Sequence, residues 1–283
     1  MQPFNIETNN LNIHGLKVGS GNEIVIALHG WLDNCHSFMP MLNNVNPKHT
    51  WYCIDFVGHG LSSWRSDDAH YYFVDYIDDV YQLINALGVK KVHLVGHSMG
   101  AMVAGLFASC FSDYVESVTF IEGIGCVTTP SEGVCEQLKS AVLNRARLKN
   151  KKQRVYKSKE LIYEARAQTT DLNSELIALL MQRNIKSVLD GYTLTTDPKL
   201  KNHSGFRFNE AQCIGAIKDL IAPCQLILGN EGYSFVKQNL AKYISYYNSL
   251  KVINVDGGHH CHMQSSEHCF EHIQDFMLQN GAC

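Results

Sequence analysis

Long apolar runs are missing from this chain. Across its 283 residues no stretch approaches the ~18 consecutive apolar residues of a membrane-spanning helix, so no membrane span is expected. The opening MQPFNIETNNLNIHG has neither a basic start nor an apolar run, which argues against a secretory leader. No Cys-x-x-Cys pair occurs among the ten cysteines. Scattered thiols of this kind fit a reducing, cytoplasmic setting better than a disulfide framework. Excess positive charge is missing too: 24 Lys and Arg stand against 27 Asp and Glu, a formal charge of −3, so no basic field recommends nucleic acid as a partner. Internal repeats and low-complexity tracts are also absent. What is present is a composition 45% hydrophobic and 18% charged, ordinary for a chain that buries a core. The length suits one large domain, or a domain with an insertion.

Apolar segments punctuated by glycine supply the organisation. NEIVIALHG (22–30), TWYCIDFVGHG (50–60), KKVHLVG (90–96) and VESVTFIEG (115–123) read as buried strands. Between them, YFVDYIDDVYQLINALGV (72–89) places Phe73, Ile77, Val80, Ile84 and Leu87 at helical spacing and stops at Gly88. SMGAMVAGLFASCF (98–111) reads as a helix whose Ala101, Ala104, Gly105 and Ala108 permit close approach to a sheet. Alternating strand and helix predict βαβ units, hence an α/β fold with a mostly parallel central sheet flanked by helices. From Ile124 to Asn209 that rhythm gives way to polar, helical text. NSELIALLMQRNIKSVL (173–189) reads there as a helix capped by Asn173 or Ser174. The stretch 145–159 holds eight Lys or Arg; it reads as a solvated face, or else as a rim that attracts acidic substrates or an anionic surface. Strands resume at APCQLILG (222–229) and LKVINVDGG (250–258), and a helix over 266–279 closes the chain. The expected division is a core of 1–123 and 210–283 interrupted by a helical cap, 124–209.

One serine stands out. In VHLVGHSMGAMVAG (92–105), Ser98 sits between strand and helix with Gly96 two residues before and Gly100 two after. A nucleophile on so tight a turn is held in strained backbone, clear of the sheet, where side chains at the flanking positions would collide. The helix beginning beneath it offers amides and a dipole that favour negative charge. A hydroxyl needs a base, and an acid to orient that base. His259 follows a late strand and the flexible pair Gly257-Gly258. His260 and His262 are expected to be packing or solvent residues. HHCH lacks a second Cys/His cluster to complete a metal site, so no metal and no organic cofactor are expected.

The motifs LHGW (28–31), DFVGHG (55–60), GHSMG (96–100) and GGHHCHM (257–263) come in the order and at roughly the spacing of the α/β-hydrolases, and the chain resembles that family over nearly its whole length. Within it the chain is most similar to the serine hydrolase-like proteins, through LHGWLDN, FIEGIG (120–125) and TTDPKLK (195–201). The resemblance implies an oxyanion hole formed by the backbone N–H groups of Trp31 and Met99, and a substrate pocket bordered by His29, Gly30 and His97. The acid has two candidates. Many relatives carry an Asp a few residues after the strand that here reads CQLILG, but Gly232 occupies that place and Glu231 lies one residue early. Others, such as haloalkane dehalogenases, carry a Glu after the preceding core strand, where this chain has Glu122. Glu122 is preferred and Glu231 is the alternative. Dehalogenases and epoxide hydrolases use an Asp where Ser98 stands here, so halide displacement is disfavoured. Asp55 is expected to shape a loop. The expected function is a serine carboxylesterase acting on a small-molecule acyl substrate. Alternatives are a thioesterase, lipid or carbon–carbon bond hydrolase on the same triad, or a low-turnover binding or receptor-like protein.

Overall fold

The computed structural model describes residues 1–8, 11–148 and 153–281. The chain opens with β1 (Gln2–Thr8), β2 (Leu11–Gly19), β3 (Glu23–Leu28) and β4 (His49–Ile54). Alternation follows: α1 (Asp75–Leu87), β5 (Val92–His97), α2 (Met99–Cys110) and β6 (Val115–Ile121). Next come α3 (Val134–Leu148), α4 (Lys159–Ala167), α5 (Ser174–Met181), β7 (Ile185–Val188), β8 (Gly191–Leu194) and α6 (Glu210–Lys218). The chain ends with β9 (Cys224–Gly229), α7 (Ser234–Tyr243), β10 (Leu250–Val255), α8 (Cys261–Gln264) and α9 (Ser266–Asn280).

Eight strands form one sheet in the order β1-β2-β4-β3-β5-β6-β9-β10. Pairings from β4 through β10 are parallel, and β2 is antiparallel to both β1 and β4. The central strands are near-continuously apolar because both faces are covered. On one face α1, α2 and α7 bury Val80, Leu83, Ile84, Ala104, Phe107 and Val236 against Ile26, Leu94 and Phe120. On the other, α9 and the turn Cys35–Met41 bury Phe270, Ile273, Met277 and Phe38 against Val25, Trp51 and Val95. Each fully buried aliphatic of this kind contributes about 1.5–3 kcal/mol. Helix α1 ends as the sequence implies, on Gly88 at φ 66°, a conformation that suits glycine.

One local reading changes, and two strands carry no sequence signal. The N-terminal strands β1 and β2 carry no strong run of apolar residues, because β1 is a sheet edge open on one face. The helical reading of 173–189 runs too far. Asn173 caps α5 by accepting from Leu176 N–H at 2.9 Å, but the helix stops at Met181, and Ile185–Val188 pairs with Gly191–Leu194 as an antiparallel hairpin. The chain reverses at Leu189-Asp190, and Tyr192 of β8 exchanges backbone hydrogen bonds with Tyr156 at 2.8 Å, which ties the hairpin to a distant part of the chain. Ile162, Leu172, Ile177, Leu180 and Met181, from the stretch of chain that links β6 to β9, form a small core of their own, shared with Met263 of α8. Part of the basic stretch, 149–152, lies outside the described residues. Among the described residues no helix is long and apolar enough to cross a membrane.

Candidate active site

Three non-glycine residues among those described have positive φ: Leu32 at 65°, Ser98 at 52° and Glu122 at 47°. All three lie just beyond the carboxyl ends of adjacent parallel strands, β3, β5 and β6. Backbone strain costs of order 1–3 kcal/mol per residue and persists where surrounding structure enforces it. Here it marks one end of the sheet.

Ser98 caps α2, and its own N–H is anchored to Ile121 O at 2.8 Å. The flanking glycines answer to backbone. A Cβ on Gly96 would sit 2.3 Å from Gly100 O, and one on Gly100 would sit 2.0 Å from Leu28 O. The turn is therefore closed on one side by its own helix and on the other by the end of β3.

Ser98 Oγ lies 2.9 Å from His259 Nε2, and His259 Nδ1 lies 3.3 Å from Glu122 Oε2. Against the carboxylate, Nδ1 carries the proton and donates, which leaves Nε2 to accept from the serine hydroxyl. His259 and Glu122 are buried, and the Tyr233 ring stacks on the imidazole at 4.0 Å and 11°. Glu122 also accepts from Gly229 N–H at 2.9 Å and Tyr233 N–H at 3.2 Å. Its carboxylate fills the space where a side chain at 232 would begin: a Cβ there would fall 2.2 Å from Oε1. Glu231 is exposed, and its backbone N–H bonds Gly257 O at 2.9 Å. Of the two carboxylates, only Glu122 meets His259. Chemically, the trio can draw a proton from the hydroxyl onto Nε2 and hold the resulting imidazolium against a carboxylate.

Trp31 follows β3, half exposed, and Met99 opens α2. Neither backbone N–H donates to a protein acceptor among the described hydrogen bonds. The approach of Gly100 to Leu28 O and His29 O brings both amides to the same end of the sheet. His29 is fully buried, with Phe56 N–H donating to its Nε2 at 3.0 Å and its Nδ1–H donating to Gly30 O at 2.7 Å. Burial pushes its pKa down. Gly30 lies against His97 and Asp33. His97 is buried as well, and its Nε2–H donates to His259 O at 2.8 Å. Burial, then the neighbouring imidazoles of His262, His259 and His260, hold it well below the ordinary histidine range. Both rings face packed protein and support the backbone on either side of the site. Asp55 shapes its loop as expected, accepting from Cys35 N–H at 2.9 Å, Leu61 N–H at 2.8 Å and Arg183 Nε at 2.7 Å.

A second polar cluster adjoins His259 and has no sequence signal. His260 is buried, with Nδ1 on Asp171 Oδ1 and Nε2 3.4 Å from Asp33 Oδ2. Asp33 Oδ1 meets Arg166 at 2.6 Å. Burial alone would depress the His260 pKa, but Asp171 and Asp33 outweigh it and raise it to about 9. His260 is therefore a charged clamp residue, and His262 is fully buried packing. Asp33, Arg166 and Asp171 escape sequence reading because their partners lie 89 or more positions away and loop carboxylates carry no periodic signature.

Residues 23–266 match the family described as the alpha/beta hydrolase fold. A serine hydrolase-like protein of Dictyostelium discoideum is 30% identical over 271 residues, spanning 90% of this chain and 75% of that protein. Among solved structures, a hypothetical protein from Pseudomonas aeruginosa PAO1 superposes with a TM-score of 0.91 at 28% identity, over 99% of this chain and all of that one. The thioesterase domain from the curacin biosynthetic pathway, at 19% identity and TM-score 0.83 over 97% of this chain and 99% of that one, shares the fold. With its sheet order, its serine turn and a family match over most of its length, the chain belongs to the α/β hydrolase fold family.

Proposed function

We propose that this chain is a serine hydrolase of the carboxylesterase type, cleaving a small or medium acyl ester through an acyl-enzyme on Ser98. The observation that carries the reading is the continuous path from Ser98 Oγ to His259 Nε2 at 2.9 Å, and from His259 Nδ1 to Glu122 at 3.3 Å. In the proposed cycle Ser98 Oγ attacks the ester carbonyl carbon while its proton passes to His259 Nε2. Glu122 orients the ring and stabilises the imidazolium. The Trp31 and Met99 amides receive the oxyanion, each worth about 3 kcal/mol if aligned. The imidazolium then protonates the leaving alkoxide. Water enters, gives its proton to His259, and attacks the acyl carbon to release the acid and restore the serine.

Residues 124–209 act in this reading as a cap over the core of 1–123 and 210–283. Three ion pairs support that division: Arg166 with Asp33, Asp171 with His260, and Arg183 with Asp55. Each reaches from the segment to a core loop beyond a strand's carboxyl end. His29, Gly30 and His97 serve as positioning residues around the pocket. A cytoplasmic setting fits the nine described cysteines, all free and seven of them buried.

The test is hydrolysis of p-nitrophenyl esters and acyl thioesters of graded chain length. Ser98→Ala should abolish turnover of every substrate the wild type accepts, with an unchanged circular dichroism spectrum. Full activity in that variant would remove Ser98 from the mechanism, and preference for thioesters would reassign the acyl class.

A further inference from the structure

The sheet carries a second chemical cluster at its other end. Glu23 opens β3, His49 opens β4, and His93 is the second residue of β5. Glu23 and His49 are register partners, and His93 pairs with Val25, two residues along from Glu23. Side chains two apart on a strand share a face, so all three project from the same side of three adjacent strands. Glu23 Oε2 stands 3.0 Å from His49 Nε2, and the three residues offer ligand atoms within 4.8 Å of one another.

What distinguishes this cluster is that its facing atoms are under-satisfied. His93 Nε2 is buried without a hydrogen-bond partner among the described residues, and Glu23 Oε2 and His49 Nε2, buried too, have only each other, 3.0 Å apart. Both imidazoles are at most 1% exposed. Buried polar atoms are rarely left unpaired, and an unpartnered imidazole nitrogen beside a carboxylate–imidazole pair calls for a partner that all three can share. We propose that Glu23, His49 and His93 form a zinc site that ties β4, β3 and β5 together at the amino-terminal edge of the sheet.

Two imidazoles and a carboxylate suit zinc and disfavour magnesium or calcium, which take oxygen ligands. Ligands ~2.0–2.1 Å from a tetrahedral zinc stand roughly 3.4 Å apart, and the 3.0 Å Glu23–His49 separation lies within a few tenths of an ångström of that. The other ring nitrogen of His93, Nδ1, is held by Ser117 Oγ at 2.8 Å, the outer-shell bond that fixes a ligating imidazole. The Glu23 side chain is 23% exposed, which leaves a path for the ion and for a water as fourth ligand. The carbonyl end of α9 approaches the same carboxylate, since a Cβ on Gly281 would lie 3.3 Å from Glu23 Oε2; that end of a helix favours a cation. By contrast, the group Asp33, His97 and His260 near Ser98 is already occupied by the charges of Arg166 and Asp171.

The test uses the full chain, stripped with EDTA and titrated with Zn2+ by calorimetry and with Co2+ by visible absorption. One equivalent should bind, with a Tm rise of about 3 °C or more at zinc a hundredfold above Kd. Glu23→Gln, at a partly exposed position, and His93→Gln should each weaken binding by about tenfold or more. If His93→Gln does not fold, Glu23→Gln decides. Failure of the wild type to bind one equivalent at about 100 μM metal, or unchanged affinity in the folded variants, would overturn the site.

Discussion

Gly232→Ala is the most informative single substitution near His259. Gly232 makes no chemical contribution of its own, yet a Cβ there would fall 2.2 Å from Glu122 Oε1 and 2.4 Å from Oε2, where ordinary contact begins near 3.4 Å. The carboxylate would have to retreat by about 1 Å, a displacement that can cost a hundredfold in rate. It would also strain the bonds from Gly229 N–H and Tyr233 N–H, each worth about 1.5–3 kcal/mol as a hydrogen bond to a charged acceptor. The expected result is a fall in kcat of roughly 10²- to 10³-fold on a p-nitrophenyl ester, with KM nearly unchanged. Glu231→Ala, beside it and exposed, should leave kcat within about twofold. Steady-state kinetics with a parallel thermal melt separates a displaced acid from a lost fold. If folded Gly232→Ala retains wild-type kcat, the Glu122 carboxylate is not the group that orients His259.

Further outcomes follow from the same geometry. Glu122→Gln should lower kcat by up to roughly 10⁴-fold, and Glu231→Gln should not; the reverse pattern would restore the alternative acid. Gly100→Ala presses a methyl against Leu28 O at 2.0 Å, where no flexible side chain can yield, and should destabilise by about 3 kcal/mol or more in thermal melts. The His260 pKa is raised to about 9 in the folded chain from an unfolded value near 6.5. Its stabilising contribution is therefore complete below pH ~6.5 and lost as pH climbs through 9, on the order of 3 kcal/mol in all. Urea melts between pH 6 and 9.5 should show that slope, and Asp171→Asn should flatten it.

The parts of the fold that were legible in the sequence are those whose physics is local. Buried parallel strands read as continuous apolar runs, Gly88 stops α1, and glycines at 96 and 100 announce the turn at Ser98. The edge strand β1, its neighbour β2 and the hairpin β7–β8 lack that signal, because pairing rather than periodicity makes them strands. At the site, Ser98 and His259 stood out by motif. Gly232 at the usual acid position already favours Glu122 over Glu231 in the sequence, but the steric reason, a Glu122 carboxylate filling the space of a side chain at 232, is visible only once β6 and β9 are neighbours. The His260 clamp was illegible because its energy comes from loops brought together by the whole fold.

Covalent capture of the serine tests the central claim most directly. Wild-type protein treated with a fluorophosphonate should gain one adduct, mapped by peptide mass to Ser98, and His259→Ala should react roughly 10³-fold more slowly or less. Folded wild-type protein that leaves Ser98 unmodified, or takes the adduct at another residue, would contradict it.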